Sequence, residues 1–216
     1  VVGFSGLIGA GRSEIMLSIF GADGFDGGKI LLNGKNVRFK NPRQAISSGV
    51  ALVPENRKLQ GLTLIGSVGF NIVLAAIQRI TTGGFLSSRK RAHLVEKYIS
   101  ELNIKTPSES TAAFSLSGGN QQKTVLAKWL ATTPELLILD EPTRGVDIGA
   151  KHEIYGIIDR LAREGIAIIL VSSEMPEIIN LCDTVYVVRN GGITGRLSGS
   201  DINQVNIMRL ALGEVV

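Results

Sequence analysis

A glycine-rich run after an apolar stretch is the first place where this chain could hold an anion. Gly6-Leu7-Ile8-Gly9-Ala10-Gly11-Arg12-Ser13 follows the β-type segment Val1–Ser5 and opens a helical pattern over roughly Arg12–Phe20. Glycines let successive backbone N–H groups wrap a phosphate, and the dipole of the following helix favours negative charge. The run fits G-x-x-x-x-G-K-[ST] except that Arg12 takes the Lys position, and Ser13 would offer its hydroxyl to Mg²⁺. A Gly-rich strand-to-helix turn without a ligand fits the same residues, so the run alone leaves both readings open. Arg12 keeps the charge of Lys but presents a wide, planar fork in place of a compact ammonium. Phosphate binding is expected to survive that exchange better than transition-state stabilisation.

Leu136-Leu137-Ile138-Leu139-Asp140-Glu141 ends an apolar strand on two carboxylates. In parallel α/β sheets, ligands sit at the C-terminal ends of the strands. Asp140 is therefore expected to hold Mg²⁺, through water or the Ser13 hydroxyl, and Glu141 to polarise an attacking water. A solvated acidic turn is the alternative, and the phosphate-type loop far upstream argues against it.

Leu116-Ser117-Gly118-Gly119-Asn120-Gln121-Gln122-Lys123 is a small-residue turn running into a helix expected over Gln121–Leu130, a second helix start suited to an anion. With these motifs in this order, the chain resembles the ATP-binding cassette family, whose signature begins LSGGQ. The resemblance implies ATP and Mg²⁺ as cofactors, with Gly6, Leu7, Ile8, Gly9, Ala10, Gly11, Arg12 and Ser13 around the nucleotide. It implies that Ser117, Gly118 and Gly119 contact the γ-phosphate held by the opposite cassette of a dimer. Thr143-Arg144-Gly145-Val146-Asp147 resembles the family's loop across that interface, with Asp147 as its aspartate. Glu55, in Val53-Pro54-Glu55, stands where the family has a Gln coupling the nucleotide site to a helical insertion. Ser173, in Val171-Ser172-Ser173-Glu174, stands where it has a switch His. Glu55 and Ser173 thus join Asp140 and Glu141 as catalytic positions.

Arg12, Glu55 and Ser173 are three departures in one composite site. Losing one preorganised transition-state donor typically costs about 3 kcal/mol, and although such losses do not add, the set implies slow hydrolysis at this chain's own loop. Glu55 would place negative charge near a polyanion unless Mg²⁺ or a Lys compensates. Arg12 together with LSGGNQQK, DEPTRGVD and VSSEMPE is similar to the C-terminal cassette of fused double-cassette ATPases from bacterial carbohydrate importers of the ribose, galactose and xylose type. That likeness implies a second cassette in the same full-length polypeptide, with the signature motif serving it. It also implies transmembrane permease subunits, indirectly a periplasmic or extracellular solute-binding protein, and a peripheral place on the cytoplasmic face of the bacterial inner membrane. A catalytically inactive nucleotide-binding half and a soluble non-transport ABC ATPase are the alternatives. The latter would need long heptads or a basic arm, and neither is present.

The elements that must position these residues alternate between β-type and helical patterns, which implies an α/β fold with a parallel sheet. With the resemblance, the fold class is a P-loop NTPase (RecA-like) core with an inserted, mostly helical ABC subdomain. The core is expected over residues 1–60 and 131–216 and the helical subdomain over about 61–130, without strands. Asn33-Gly34 marks a hairpin between Lys29–Leu32 and Val37–Phe39. Asn41-Pro42 starts a helix, Val50–Val53, Ile166–Val171 and Val185–Val188 read as strands, and Asp201 or Asn203 caps a last helix ending near Gly213. The segment of roughly Gly61–Ser115 is expected to dock a cytoplasmic permease helix.

Composition fits one large folded domain: 44% hydrophobic and 19% charged residues in 216. The net charge of +4 is dispersed, with Arg89-Lys90-Arg91 as the one basic run, so no nucleic-acid partner is expected. The single cysteine, Cys182, reads as a buried, inert thiol. No stretch is long and apolar enough for a membrane helix. The first residues lack a signal-peptide pattern and read as a strand without an initiator Met, as in an N-terminally truncated cassette.

Overall fold

The computed structural model describes residues 1–214. The chain forms two compact units. The first comprises Val1–Leu52, Glu135–Glu141 and the chain from Leu161 onward; the second comprises Val53–Pro134 and Pro142–Arg160.

The first unit is built on a sheet of β1 (Val2–Gly6), β4 (Val50–Val53), β7 (Leu136–Asp140), β8 (Ala167–Val171), β9 (Thr184–Arg189) and β10 (Gly192–Ser198). Their order is β10-β9-β1-β8-β7-β4. β1 runs parallel to both β8 and β9, and β7 runs parallel to β8, with Asp140 opposite Val171. β10 is antiparallel to β9, so the sheet is mixed, with a parallel centre and an antiparallel edge. Leu137, Ile138, Leu139, Leu170, Val185 and Val187 are fully buried, as expected of central strands covered on both faces. Helices α1 (Arg12–Phe20), α7 (Met175–Leu181) and α8 (Gln204–Leu212) pack on these strands.

Local signals act as expected in this unit. Asn33 and Gly34 turn β2 (Ile30–Leu32) into β3 (Lys35–Val37), both at positive φ as a type I′ turn demands. The side chain of Asn41 accepts from the Gln44 N–H and caps α2 (Pro42–Ser47). Asn203 caps α8, which ends on left-handed Gly213.

The second unit is mostly helical. α3 (Val68–Leu74), α4 (Ser88–Glu101) and α5 (Gly118–Leu130) pack on one another, and α6 (Ile148–Arg163) begins in it. Two differences from expectation stand out. Thr81–Thr82 and Phe85–Leu86 pair as a short antiparallel hairpin, β5 and β6, because Gly83 and Gly84 take the positive φ of a tight turn. Helix α5 starts at Gly118, not Gln121, because Ser117 serves as its cap and draws both glycines into the first turn.

Buried polar groups in this unit are used as fasteners. Asn71 is fully buried; its Oδ1 accepts from Thr63 N–H and its Nδ2 donates to the Thr63 and Ser67 carbonyls, closing the turn before α3. Lys128 is buried on α5, donates to the Gly61 carbonyl and lies 5.0 Å from the Trp129 ring. Burial lowers its pKa from the ordinary 10.5 to about 8. No helix among the described residues is long and apolar enough to cross a membrane.

Candidate active site

The glycine-rich loop bridges β1 and α1. Gly6 has φ +150°, and a Cβ there would lie 2.2 Å from the Val188 carbonyl oxygen, so no other residue fits beneath the loop. The Ala10 carbonyl accepts from Gly191 N–H at 2.8 Å and anchors the loop's far side. Gly11, in the left-handed region, leads into α1, whose first turn has no side-chain cap. Its N–H groups and dipole are thus directed at the loop, the usual electrostatic setting for a phosphate. Ile8 is 90% exposed at the loop's tip.

Arg12 does not extend along the loop. It is buried, and its Nη1 donates to the Ser172 carbonyl at 2.8 Å while its Nη2 reaches Glu141 Oε1 at 3.3 Å. The other carboxylate oxygen of Glu141 accepts from Ser173 Oγ at 3.1 Å. Glu141 itself has φ +47°, strained for a non-glycine residue, and its N–H donates to the Val171 carbonyl at 2.9 Å. The carboxylate at the end of β7 is therefore held from both sides, by the residue in the Lys position and by the residue in the His position.

Asp140, one residue earlier, is buried. Burial pushes its pKa up; a hydrogen bond from Ser13 opposes this, nearby Glu141 adds to it, and Arg12 opposes it. Its Oδ1 is buried without a hydrogen-bond partner. A buried, unpaired carboxylate oxygen beside a serine hydroxyl fits one edge of a Mg²⁺ shell, the rest of which would be water and phosphate oxygens. Among the described residues no cluster of His, Cys, Asp and Glu could cage a metal by itself. The loop, Ser13, Asp140, Glu141 and Ser173 all belong to the first unit.

Ser117, Gly118, Gly119, Asp147 and Glu55 belong to the second unit. Ser117 Oγ accepts from Asn120 N–H and from Asn120 Nδ2 at 2.9 Å, and Asn120 Oδ1 accepts from Lys105 N–H at 2.8 Å. Asp147 Oδ1 accepts from Ala150 N–H at 3.0 Å near the start of α6. Lys105, Ser117, Asn120, Lys123, Asp147 and Glu153 border a cavity of about 240 Å³. Lys123 Nζ donates to Glu153 at 2.8 Å and holds that carboxyl below its ordinary pKa. Glu55 is paired with Arg144, so its charge is met by an arginine of the 143–147 loop and not by a lysine. Lys123 and Arg144 stand inside the two motifs without a role read from the sequence, and Glu153 lies outside both; only the fold brings Lys123 to Glu153 and Arg144 to Glu55.

A family model described as ABC transporter matches residues 1–144. The chain is 49% identical over 213 residues to the ribose import ATP-binding protein RbsA of Geobacillus kaustophilus, covering 99% of this chain and 43% of that protein. It is 47% identical over 213 residues to RbsA of Bacillus subtilis, again covering 99% of this chain and 43% of the relative. The chain therefore spans less than half the length of these curated relatives. Among solved structures, the ADP conformation of an ATP-binding cassette of an ABC transporter matches with a TM-score of 0.79 at 23% identity, over 99% of this chain and 88% of that one. A dimeric, post-hydrolysis cassette bound to ADP and Pi matches with a TM-score of 0.77 at 18% identity, over 91% and 84%. At these identities the likeness is one of fold.

Proposed function

The chain belongs to the ABC transporter family, and we propose that it is an ATP-binding and ATP-hydrolysing cassette that powers import of a carbohydrate or similar small solute. The ribose import role named for its relatives supports the solute class. Their greater length leaves room for a second cassette in the same polypeptide. On this reading the protein is peripheral at the cytoplasmic face of the bacterial inner membrane and works with permease subunits and, through them, a solute-binding protein. The helical subdomain, about residues 61–130, meets the permease; exposed Ile65, Phe70, Leu74 and Ile77 offer an apolar surface to one of its helices. The nucleotide-binding core expected over residues 1–60 and 131–216 has its loop, Ser13, Asp140, Glu141 and Ser173 within the first unit.

In the mechanism, the amides of Gly6–Ser13 bind the nucleotide phosphates. Ser13 and Asp140 would hold Mg²⁺, which would supply charge neutralisation for those phosphates. Glu141 orients and polarises the attacking water, but it must first be shared out from Arg12 and Ser173. Ser117, Gly118 and Gly119, with Asp147, complete the site of the partner cassette. The Arg12–Glu141–Ser173 arrangement is the observation that carries the asymmetry: this chain's own site turns over slowly while its signature motif serves a faster one.

In the full-length protein, Ser117→Ala is expected to abolish steady-state ATP hydrolysis, with Arg12→Ala losing less. Equal losses would sink the asymmetry, and absence of ATP hydrolysis in the parent would sink the ATPase reading. The same tether also favours a second reading, a nucleotide-binding half without catalysis. Single-turnover hydrolysis in a variant whose other site is disabled separates the two, since a purely binding half gives no Pi.

A further inference from the structure

Within the second unit, the segment after β4 is fastened to the 143–147 loop by contacts that lie outside the nucleotide-loop machinery. Arg57 Nη1 donates to the Arg144 carbonyl at 2.6 Å and Nη2 donates to the Gly145 carbonyl at 2.9 Å. The Glu55–Arg144 ion pair is a second tether between the same two segments. The third element is the signature turn. A Cβ on Gly118 would stand 3.0 Å from Arg57 Nη2 and 3.2 Å from the Gly145 oxygen, so the guanidinium, the loop and the turn are packed at one point.

Arg57 is suited to this place because its own backbone is fixed. It begins a π-helical turn, Arg57–Gly61. Asn56 Oδ1 caps the turn by accepting from Lys58 N–H at 3.2 Å and Leu59 N–H at 3.1 Å. At the other end the Gly61 carbonyl is held by Lys128. A planar fork can satisfy two successive carbonyls at once, which a single ammonium cannot do with the same geometry. Arg57 Nε is buried without a partner and desolvation lowers the group's pKa, so the charge is kept here against a burial cost.

We propose that Arg57 is a positioning residue: it seats the 143–147 loop against the signature turn, so that Asp147 and Ser117 are presented to a partner cassette in fixed register. The proposal rests on the cassette reading above for what that register serves. The loop's backbone carbonyls, not its side chains, are what Arg57 reads, so substitution at Arg144 leaves this tether in place and removes only the one to Glu55.

The test compares Arg57→Ala and Arg57→Lys with the parent in the full-length protein, by amide hydrogen exchange and by ATP hydrolysis. Loss of two charged hydrogen bonds is expected to speed exchange in residues 143–148 by about tenfold in Arg57→Ala, with helix α4 unchanged. Arg57→Lys should fall between. The kcat for ATP should drop by about 10²-fold in Arg57→Ala while KM stays within about twofold, because a displaced loop harms the closed geometry more than nucleotide capture. Unchanged exchange at 143–148, or faster exchange with unchanged kcat, overturns the proposal. If Arg57→Ala does not fold, Arg57→Lys carries the same two readouts. If the parent hydrolyses no ATP, the functional reading has failed and the exchange comparison alone decides the role of Arg57.

Discussion

Arg12 Nη2 and Glu141 Oε1 stand 3.3 Å apart, joining the one unusual residue of the glycine-rich loop to the carboxylate just past the end of β7. Both side chains are about nine-tenths buried, at 8% and 10% exposure. A guanidinium has the reach and the second N–H to take the Ser172 carbonyl at the same time. Arg12 thus fastens the start of α1 to the ends of two strands as well as placing a positive charge behind the loop.

Removing one member of a buried pair strands the other, so Arg12→Ala is expected to lower stability by about 3 kcal/mol at neutral pH. Glu141→Gln in that background removes the stranded charge and should recover much of the loss. Urea unfolding of the two single variants and the double variant measures the coupling. Strictly additive effects would mean that the pair contributes nothing to folding.

Asp140 gives the opposite sign. Its folded pKa is raised, so the folded chain binds more protons than the unfolded chain just above the ordinary carboxylate value of 3.8. Stability is lost as pH rises through that window, and the ionised group at pH 7 is a burden the fold carries. Asp140→Asn should therefore raise the metal-free thermal midpoint at pH 7, by the equivalent of about 0.5–2 kcal/mol. It should also abolish any upward shift of that midpoint on adding Mg²⁺ with ATP. A lower midpoint than the parent in metal-free buffer would count against this account of the carboxylate.

What could be read beforehand follows contact range. Helix α1, the Asn41 cap, strand β4 and the Asn203-to-Gly213 helix rest on signals a few residues long, and each stands where the pattern placed it. Strand β10 was not foreseen: glycines at 192 and 195 break its alternation, and as an edge strand it buries little beyond Leu197. The hairpin at Thr81–Leu86 has only two residues per strand, too few to show a period. The chemical residue types at the site were visible as motifs. Their partners were not, because Arg12 and Glu141 are 129 positions apart and only the sheet order brings them together.

Lys128 offers a test of the second unit that needs no nucleotide. Its folded pKa of about 8 lies below the ordinary 10.5, so between those values the unfolded chain binds the extra proton. The contribution of Lys128 to stability should therefore rise with pH from about 8 toward 10, by at most about 3 kcal/mol if the whole shift is realised. Cys182, pushed by burial from 9.0 to about 12, and Tyr98, raised from 10.0, act with the opposite sign above those ordinary values, so the parent's rise is cut short near pH 9 and a Lys128 variant is needed to isolate the lysine. Lys128→Met removes the titration, and it also leaves the Gly61 carbonyl without its lysine, at about 1–3 kcal/mol. The urea midpoint of the parent should rise relative to that of the variant from pH 7.5 to pH 9.5. A constant difference across that range would mean that Lys128 stays charged in the fold at no cost, its bond to the Gly61 carbonyl offsetting the burial.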